Sequence, residues 1–238
     1  MPPLIRGRYT IRRAESAGDL RRAQQLRTRA FDTAELDADG HDALCTHLLV
    51  EEGADLVACL RLMTLDPRDI ASSYSAQFYD LSRLEAFPGP LVEMGRFCIA
   101  PDRHDPDILR AAWAAVTGLV DRVSAQLLFG CSSFRGTDPV RYAHAFAALA
   151  RSHLAPEPWR PGIRAPETHD FVTGAAEPDM RQAAQTLPPL LRTYLAMGGW
   201  VSDHAVVDHA MNTLHVFTGL EIARIPPARA RLLRAVSG

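Results

Sequence analysis

The segment Val92-Glu93-Met94-Gly95-Arg96-Phe97-Cys98-Ile99 places two charged side chains inside an otherwise apolar strand. Successive side chains of a strand point to opposite faces, so Glu93 and Arg96 would lie on opposite sides of a regular strand. Either charge is costly to bury without a partner. A β-bulge at Gly95 would bring both charges to one side. We therefore predict a functional site here, with Glu93 as the best acid or base; the alternative is an edge strand whose charges reach solvent.

Strands and helices alternate on both sides of this segment. The patterns predict strands at Tyr9–Ala14, His47–Glu51, Leu56–Leu65, Leu91–Ala100, Leu127–Phe134, Phe171–Val172, Ala205–Val207 and His215–Thr218, and helices from Ser16 to Phe31, Pro106 to Ser124, Pro139 to Leu154 and Leu187 to Met197. This order is typical of an α/β fold with a mixed central sheet flanked by helices. We find no linker, and we expect one domain over residues 1–238.

The composition excludes several classes of protein. With 47% hydrophobic and 23% charged residues, the 238-residue chain is an ordinary globular one. It has no run of about 20 apolar residues that could span a membrane. All 26 basic residues are Arg, which excludes a lysine Schiff base and a lysine general base. Anions must therefore be bound by Arg, a helix N-terminus or backbone N–H groups. The net charge of -2 gives no reason to expect a nucleic-acid partner.

The cysteines and the N-terminus indicate the compartment. Four cysteines without C-x-x-C spacing are typical of buried, reduced thiols rather than of a zinc site or a disulfide framework. Residues 1–6 lack the apolar segment of a secretory signal. We expect a cytoplasmic protein. The sequence contains no metal-binding motif, so no metal is expected.

Three further segments carry candidate polar residues. Arg27–Asp32 ends the first helix and is followed by aspartates up to Asp42; the alternative is a solvated helix end. Gly130–Phe134 ends a strand in small polar residues, where ligands often bind in α/β sheets, or is an ordinary strand-to-loop transition. The stretch from Asp203 to Asn212 could bind an amine or be plain surface.

The order of the segments carries a resemblance to a known family. These are RTRAFD at Arg27–Asp32, DALCTHLLV at Asp42–Val50, LRL at Leu60–Leu62, FYDLSRL at Phe78–Leu84, VEMGRFCI at Val92–Ile99, LLFGCSSF at Leu127–Phe134, LPPLLRTYL at Leu187–Leu195 and VVDHA at Val206–Ala210. The set resembles the ornithine lipid N-acyltransferase family, the hemolysin-like branch of the GNAT acyltransferases. It is more distantly similar to the acyl-homoserine-lactone synthases.

The resemblance implies a fold and a reaction. The fold is the GNAT sheet, in which Leu91–Ala100 and Leu127–Phe134 would splay apart around an acyl-pantetheine thioester. The family transfers a 3-hydroxyacyl group from acyl carrier protein to the α-amine of L-ornithine, giving lyso-ornithine lipid in the first step of ornithine lipid biosynthesis. No separate cofactor is implied. Because the product is a lysolipid, contact with the inner membrane surface is possible.

The donor loop departs from that of ordinary acetyltransferases, which bind the pyrophosphate of coenzyme A on a glycine-rich turn. Here Pro101–Asp107 contains no glycine and three aspartates, which repel a pyrophosphate. This favours acyl carrier protein over free coenzyme A.

For this reaction we hypothesise roles for particular residues. Glu93 would take the amine proton, Arg96 would hold the acceptor carboxylate or orient Glu93, and a backbone N–H near Phe97 or Cys98 would stabilise the oxyanion. The residues expected to bind the acceptor are Asp42, Asp208, Arg27 and Ser132. Those expected to bind the donor are Phe97, Cys98, Ile99, Arg103, Arg110 and Phe31. The arginines expected to face the carrier are Arg27, Arg29, Arg103 and Arg110.

Three alternatives stay open. The chain could be an acyl-homoserine-lactone synthase that uses S-adenosylmethionine, although Leu187–Leu195 argues against this. It could acylate another amino acid, such as glycine, lysine or glutamine. It could also be an inactive GNAT domain that only binds, which the presence of both Glu93 and Arg96 disfavours.

Overall fold

The computed structural model describes residues 2–173 and 177–237. In chain order its strands and helices are β1 (Leu4–Arg6), β2 (Tyr9–Arg13), α1 (Ala17–Phe31), β3 (Thr46–Glu52), β4 (Asp55–Leu65), β5 (Tyr79–Asp80), β6 (Leu91–Ile99), α2 (Pro106–Arg122), β7 (Leu127–Arg135), α3 (Ala143–Ser152), β8 (Gly162–Ile163), β9 (Thr168–Asp170), α4 (Met180–Thr186), α5 (Pro189–Ala196), β10 (Trp200–Val201), β11 (His204–Asp208), β12 (Thr213–Glu221) and α6 (Pro227–Ser237). The contacts divide the chain into two compact units: Met1–Thr64 with Val92–Ala125 and Pro227–Gly238, and Leu65–Leu91 with Gln126–Pro226.

The first unit is built on strands in the order β1–β2–β3–β4–β6. The β3–β4 hairpin is antiparallel, with an irregularity between Val50 and Glu51. Helix α1 starts where the Ser16 side chain accepts a hydrogen bond from the Asp19 N–H, as an N-cap residue does. Its apolar face packs Leu26 into a core cluster with residues of β3, β4 and β6. This packing fixes the end of α1 near the strands that carry the candidate site.

The second unit has the strand order β7–β12–β11–β9, with β10 also paired to β12. β7 and β12 pair antiparallel along nine residues each, from Leu127 opposite Glu221 to Arg135 opposite Thr213. A core of aromatic and aliphatic side chains, including Phe134 and Phe146, packs α3 and α5 against these strands. Strands β5 and β8 form a separate two-stranded sheet.

Most predicted elements are present with ends within a few residues. The predicted strand at Phe171–Val172 is wrong: the strand is β9, directly before it, and Phe171 instead stacks on Phe146 with ring centroids 5.1 Å apart. The short strands β1, β5, β8 and β10 and the helices α4 and α6 were not predicted. The splaying of Leu91–Ala100 from Leu127–Phe134 concerns one strand of each unit and stays a prediction, as does the single domain. Among the described residues, no helix is both long and apolar enough to cross a bilayer.

Candidate active site

The backbone of β6 is irregular at the predicted position, but one residue later than expected. Arg96 has a left-handed φ of 52°, whereas Gly95 is not among the residues with positive φ. The left-handed residue of β6 is therefore Arg96, and the bulge at Gly95 stays a prediction. A non-glycine residue in this conformation is strained and persists only where its surroundings hold it. The side chain of Arg96 stabilises this conformation, because its guanidinium binds two aspartates of the loop after α1.

Six charged side chains of the first unit form a cluster that we call the charge cluster. Its members are Arg27, Arg61, Arg96, Asp37, Asp39 and Asp42. Arg27 and Arg61 are only 1% and 2% exposed, so their charges depend on protein partners rather than on water. The three positive and three negative charges balance, which is the condition for burying them together.

Arg27 and Asp42 form the centre of the charge cluster. The two guanidinium nitrogens of Arg27 donate to the two carboxylate oxygens of Asp42 at 2.8 and 2.9 Å, a bidentate pair. Nη2 of Arg27 also donates to the backbone carbonyl of Asp37 and lies 2.8 Å from its carboxylate. Gln24 donates to Asp42 at 3.0 Å. Arg27 and Asp42, both predicted to bind the acceptor, are thus bonded to each other.

Arg61 joins β4 to the same loop. Its guanidinium donates to both carboxylate oxygens of Asp39, at 2.6 and 2.8 Å, and to Asp42 at 2.7 Å. Arg96 completes the set, with Nε 3.1 Å from the Asp37 carboxylate and Nη2 3.5 Å from that of Asp39. The charge cluster therefore ties α1, the loop after it, β4 and β6 together.

Electrostatics keep the aspartates of the cluster ionised. Burial alone would raise the pKa of Asp42, but the hydrogen bonds from Arg27 and Gln24 outweigh it and hold that pKa well below its usual range. Burial would also raise the pKa of Asp39, but the hydrogen bonds and charge of Arg61 outweigh burial and lower that pKa. Nε2–H of His47 donates to the backbone carbonyl of Asp42 at 2.9 Å, and burial lowers the pKa of His47.

Glu93 lies in β6 and is only 4% exposed. Its charge interacts electrostatically with the Cys45 thiol, as do the charges of Arg61 and Asp42 in the charge cluster. Burial raises the pKa of Cys45 to about 11, so this thiol is protonated at neutral pH. A Cβ at Gly95 would lie 3.6 Å from Nε of Arg61, so the guanidinium passes close over β6. Glu93 and the charge cluster thus share one region of the first unit.

The predicted donor residues Phe97, Cys98 and Ile99 follow Arg96 in β6. Cys98 is buried, and its Sγ lies 3.6 Å from that of Cys59, so the two are packed thiols rather than a disulfide. Phe97 and Ile99 are half-buried. Phe31, also predicted to bind the donor, packs against the core cluster that contains Cys98.

The four arginines expected to face a carrier protein do not share one surface. Arg27 is buried in the charge cluster, so that expectation is wrong for it. Arg29 and Arg103 line one open groove of about 370 Å³, together with Arg22, Gln25, Ala54, Asp55, Leu56, Ala100 and Asp102. Arg103 donates to Glu52 and Asp55 there. Arg110 is exposed, pairs with Asp107 on α2 and does not line the groove.

The two site residues predicted in the second unit do not converge. Ser132 of β7 lies opposite Val216, whereas Asp208 of β11 lies opposite Thr213, three residues away along β12. An odd separation places them on opposite faces of the sheet. Ser132 accepts a hydrogen bond from the Thr218 hydroxyl at 2.9 Å. Asp208 accepts one from the N–H of Met211 at 3.0 Å, at the end of β11.

The second unit also contains buried polar side chains that the sequence analysis did not single out. We call Tyr79, His204 and His215 the histidine face. They are 0%, 2% and 3% exposed, respectively. The Tyr79 ring lies 5.4 Å from that of His204 and 5.6 Å from that of His215. Burial raises the pKa of Tyr79 above its usual value and lowers that of His215 to about 4.

One missed residue had a detectable sequence pattern. Arg61 stands alone among apolar residues of a predicted strand, and a buried arginine requires a carboxylate partner. Asp37 and Asp39 were noted as part of an acidic loop but not as its partners. Nothing local marks His215, because its partner Tyr79 is 136 residues away.

Comparison with known proteins identifies the family. Residues 21–114 match the model of the acetyltransferase (GNAT) domain. An N-acyl amino acid synthase from uncultured soil microbes has the same fold, with a TM-score of 0.55 over 93% of this chain and 98% of that one at 9% identity. The L-ornithine N(alpha)-acyltransferase of Rhodobacter capsulatus is 35% identical, covering 87% of this chain and 88% of that protein. The enzyme of the same name from Brucella abortus is 32% identical over 92% and 86%. The chain therefore has the GNAT fold and belongs to the L-ornithine N(alpha)-acyltransferase family.

Proposed function

We propose that this protein transfers a 3-hydroxyacyl group from acyl carrier protein to the α-amine of L-ornithine, the first step of ornithine lipid biosynthesis. The observation that carries the proposal is the 35% identity to a relative of that name over 87% of the chain. The buried Glu93 beside the charge cluster supports it, because amine acylation requires a group that accepts a proton.

Glu93 is the proton acceptor in this mechanism. The α-ammonium gives one proton to the Glu93 carboxylate, directly or through a water, and the proton passes on to solvent. The amine nitrogen then attacks the thioester carbonyl, and a backbone N–H near Phe97 or Cys98 stabilises the oxyanion. The carbon–sulfur bond breaks, and a second proton moves from the attacking nitrogen to the departing thiolate. Holding both reactants in place supplies most of the rate increase.

Arg96 has two proposed roles, binding the acceptor carboxylate and orienting Glu93. Its contacts with Asp37 and Asp39 favour the second role, because they fix the left-handed turn that separates Glu93 from the donor residues. Arg27 and Asp42 support this arrangement indirectly, because Arg27 binds Asp37 and Asp42 binds Arg61. We retain Asp208 as an acceptor-binding residue.

The start of α2 favours a carrier-protein donor over coenzyme A. Helix N-termini bind phosphate through free backbone N–H groups. Here the Asp105 carboxylate occupies that position: it accepts from the Asp107 N–H at 2.8 Å, and also from the Arg8 side chain at 2.6 Å and the Tyr9 hydroxyl at 2.7 Å. A pyrophosphate would meet a fixed negative charge. A carrier protein brings one phosphodiester and requires less of such a site.

The assay that tests the proposal supplies a 3-hydroxyacyl group on acyl carrier protein or on coenzyme A, with a panel of amino acids, and identifies products by mass spectrometry. We expect acylornithine, formed faster from the carrier protein. A product from S-adenosylmethionine or from another amino acid alone would favour the alternatives. No acylated product from any acceptor would contradict the proposal.

Replacing Glu93 tests the mechanism. We expect Glu93→Gln to lower kcat about 10²- to 10⁴-fold at saturating ornithine, the usual contribution of a general base. The exposed Glu85→Gln is the matched control and should retain full activity. Full turnover of Glu93→Gln would remove Glu93 from this role.

Replacing Arg29 tests the carrier surface. Arg29→Glu reverses a charge in the groove that it shares with Arg103, so we expect the KM for acyl carrier protein to rise several-fold while the KM for ornithine is unchanged. Added salt should shrink the difference. The exposed Arg68→Glu is the control. An equal effect of both variants would exclude the groove as the docking surface.

A further inference from the structure

The open groove of about 370 Å³ in the first unit is lined mainly by charged side chains. It lies between α1, the β3–β4 turn and the segment after β6, and its charged residues are Arg22, Arg29, Arg103, Asp55 and Asp102. Ala100 also lines it, directly after the predicted donor residues Phe97–Ile99. Three positive and two negative charges leave an excess of one positive charge where the donor strand ends. A negatively charged partner on the donor side would complement this groove.

Arg22 and Arg29 line the groove from α1 but differ in their contacts. The Arg22 guanidinium donates to the Glu51 carboxylate at 2.8 Å and to the backbone carbonyl of Ala54 at 3.0 Å. The Arg29 side chain is exposed, and among the described residues none forms a hydrogen bond or an ion pair with it. Arg29 can therefore receive an anion from outside the protein, whereas Arg22 is held by the protein itself.

Arg103 is held by two carboxylates that differ in exposure. Its Nη1 donates to Glu52 at 2.8 Å and its Nη2 donates to Asp55 at 3.0 Å. The Glu52 side chain is 26% exposed and also lies 3.1 Å from Nε of Arg8, so two arginines fix it. The Asp55 side chain is 71% exposed, next to the β3–β4 turn. Because an exposed ion pair contributes little, the contact between Arg103 and Asp55 can open while Glu52 keeps Arg103 in place.

We propose that Asp55 is an internal competitor, which occupies Arg103 until a carboxylate on the surface of the acyl carrier protein replaces it, while Arg29 binds a second carboxylate of the carrier. The inference rests on the proposed function and adds to it the contacts through which the carrier docks. Exchange of one carboxylate for another keeps Arg103 paired in both states and places the carrier beside Ala100, where the donor residues end. Asp102 is not the competitor, because its carboxylate is 3.8 Å from Nε of Arg103, too far for a hydrogen bond.

The test measures the Kd of the apo form of acyl carrier protein, which lacks the phosphopantetheine and therefore its phosphodiester. We expect Asp55→Asn to lower this Kd about two- to fivefold, the range that one exposed ion pair implies, because Arg103 becomes available to the carrier. Arg29→Gln should raise the Kd, and added salt should reduce both effects. The matched control is Asp66→Asn, which removes the carboxylate of another exposed pair, with Arg68, and should leave the Kd unchanged.

Two further variants separate competition for Arg103 from a general change of charge. In Arg103→Gln, addition of Asp55→Asn should change the Kd by less than it does in the wild type. Asp102→Asn removes the same charge from the groove without freeing a hydrogen bond of Arg103, so it should lower the Kd by less than Asp55→Asn, and it serves if Arg103→Gln does not fold.

An unchanged Kd in Asp55→Asn, or an equal fall in Asp102→Asn, would overturn the inference, as would an equal effect of Asp55→Asn with and without Arg103. Binding of the apo carrier as expected, but no acylornithine from the 3-hydroxyacyl carrier protein, would instead overturn the proposed function.

Discussion

The charge cluster and the histidine face both bury polar side chains, but the first keeps them charged and the second keeps them neutral. In the first, Arg27 and Arg61 stay charged because aspartates neutralise them at 2.6–2.9 Å. In the second, burial lowers the pKa of His215 to about 4, which keeps the ring neutral at pH 7, and its Nδ1 lies 3.0 Å from the Tyr79 hydroxyl. Removing one partner of a buried ion pair leaves an unpaired charge, which costs more than the one unsatisfied nitrogen of a neutral ring. The charge cluster is therefore suited to holding the backbone of the first unit in place.

The largest difference should appear when one partner is removed. Arg27→Met leaves Asp37 and Asp42 buried beside too little positive charge, and we expect a loss of about 3–5 kcal/mol in the free energy of unfolding. Urea unfolding measures it. The exposed Arg68→Ala, which breaks a surface pair with Asp66, is the control and should leave the urea midpoint unchanged. A midpoint for Arg27→Met equal to that of the control would show that pairing does not hold the charge cluster together.

The two regions should also lose their contributions to the stability of the fold in different ranges of pH. His215 has its pKa lowered from 6.5 to about 4, so the unfolded chain binds more protons between these values, and stability falls as pH drops from about 6.5 to 4. The pKa difference corresponds to about 3 kcal/mol at 1.36 kcal/mol per unit. Asp42 has its pKa lowered below 3.8, so its contribution is present above that pH and is lost only at lower pH.

Unfolding measured from pH 7 to 4 separates these contributions. The slope between pH 6.5 and 4 should flatten in His215→Asn, because the asparagine side chain does not titrate. An unchanged slope in that variant would assign the pH dependence to other groups, such as His47, whose pKa burial also lowers.

Two substitutions of Arg96 should separate the small energetic effect of its strained backbone from that of its ion pairs. Arg96→Ala and Arg96→Gly both remove the guanidinium from Asp37 and Asp39, but only glycine adopts a φ of 52° without strain. We expect Arg96→Gly to be about 1 kcal/mol more stable than Arg96→Ala by urea unfolding. Equal stabilities would mean that the turn relaxes once the side chain is gone.

Periodicity in the sequence predicted the long strands and helices, because each buries one regular apolar face. Periodicity gave a wrong prediction where a residue is apolar because of a contact with a distant part of the chain. Phe171 is apolar because it stacks on Phe146, not because it belongs to a strand. Helix α6 begins at Pro227, a residue common in the first turn of helices.

The sequence predicted several residues of the candidate site but not the contacts between them. Glu93 and Arg96 stood out because charges inside a strand need a reason, and the family resemblance gave them roles that stay predictions. That Arg27 and Asp42 bind each other depends on how α1 meets the following loop, which no local pattern records. The contact of His215 with Tyr79 joins residues 136 positions apart, so only the folded chain could reveal it.

The site of acylation on ornithine tests the account most directly. The purified protein would receive a 3-hydroxyacyl carrier protein and L-ornithine labelled with ¹⁵N only at the α position, and tandem mass spectrometry would locate the amide nitrogen. The account predicts that the amide contains ¹⁵N and that the side-chain amine is free. An amide at the unlabelled side-chain nitrogen, or no acylornithine at all, would contradict it.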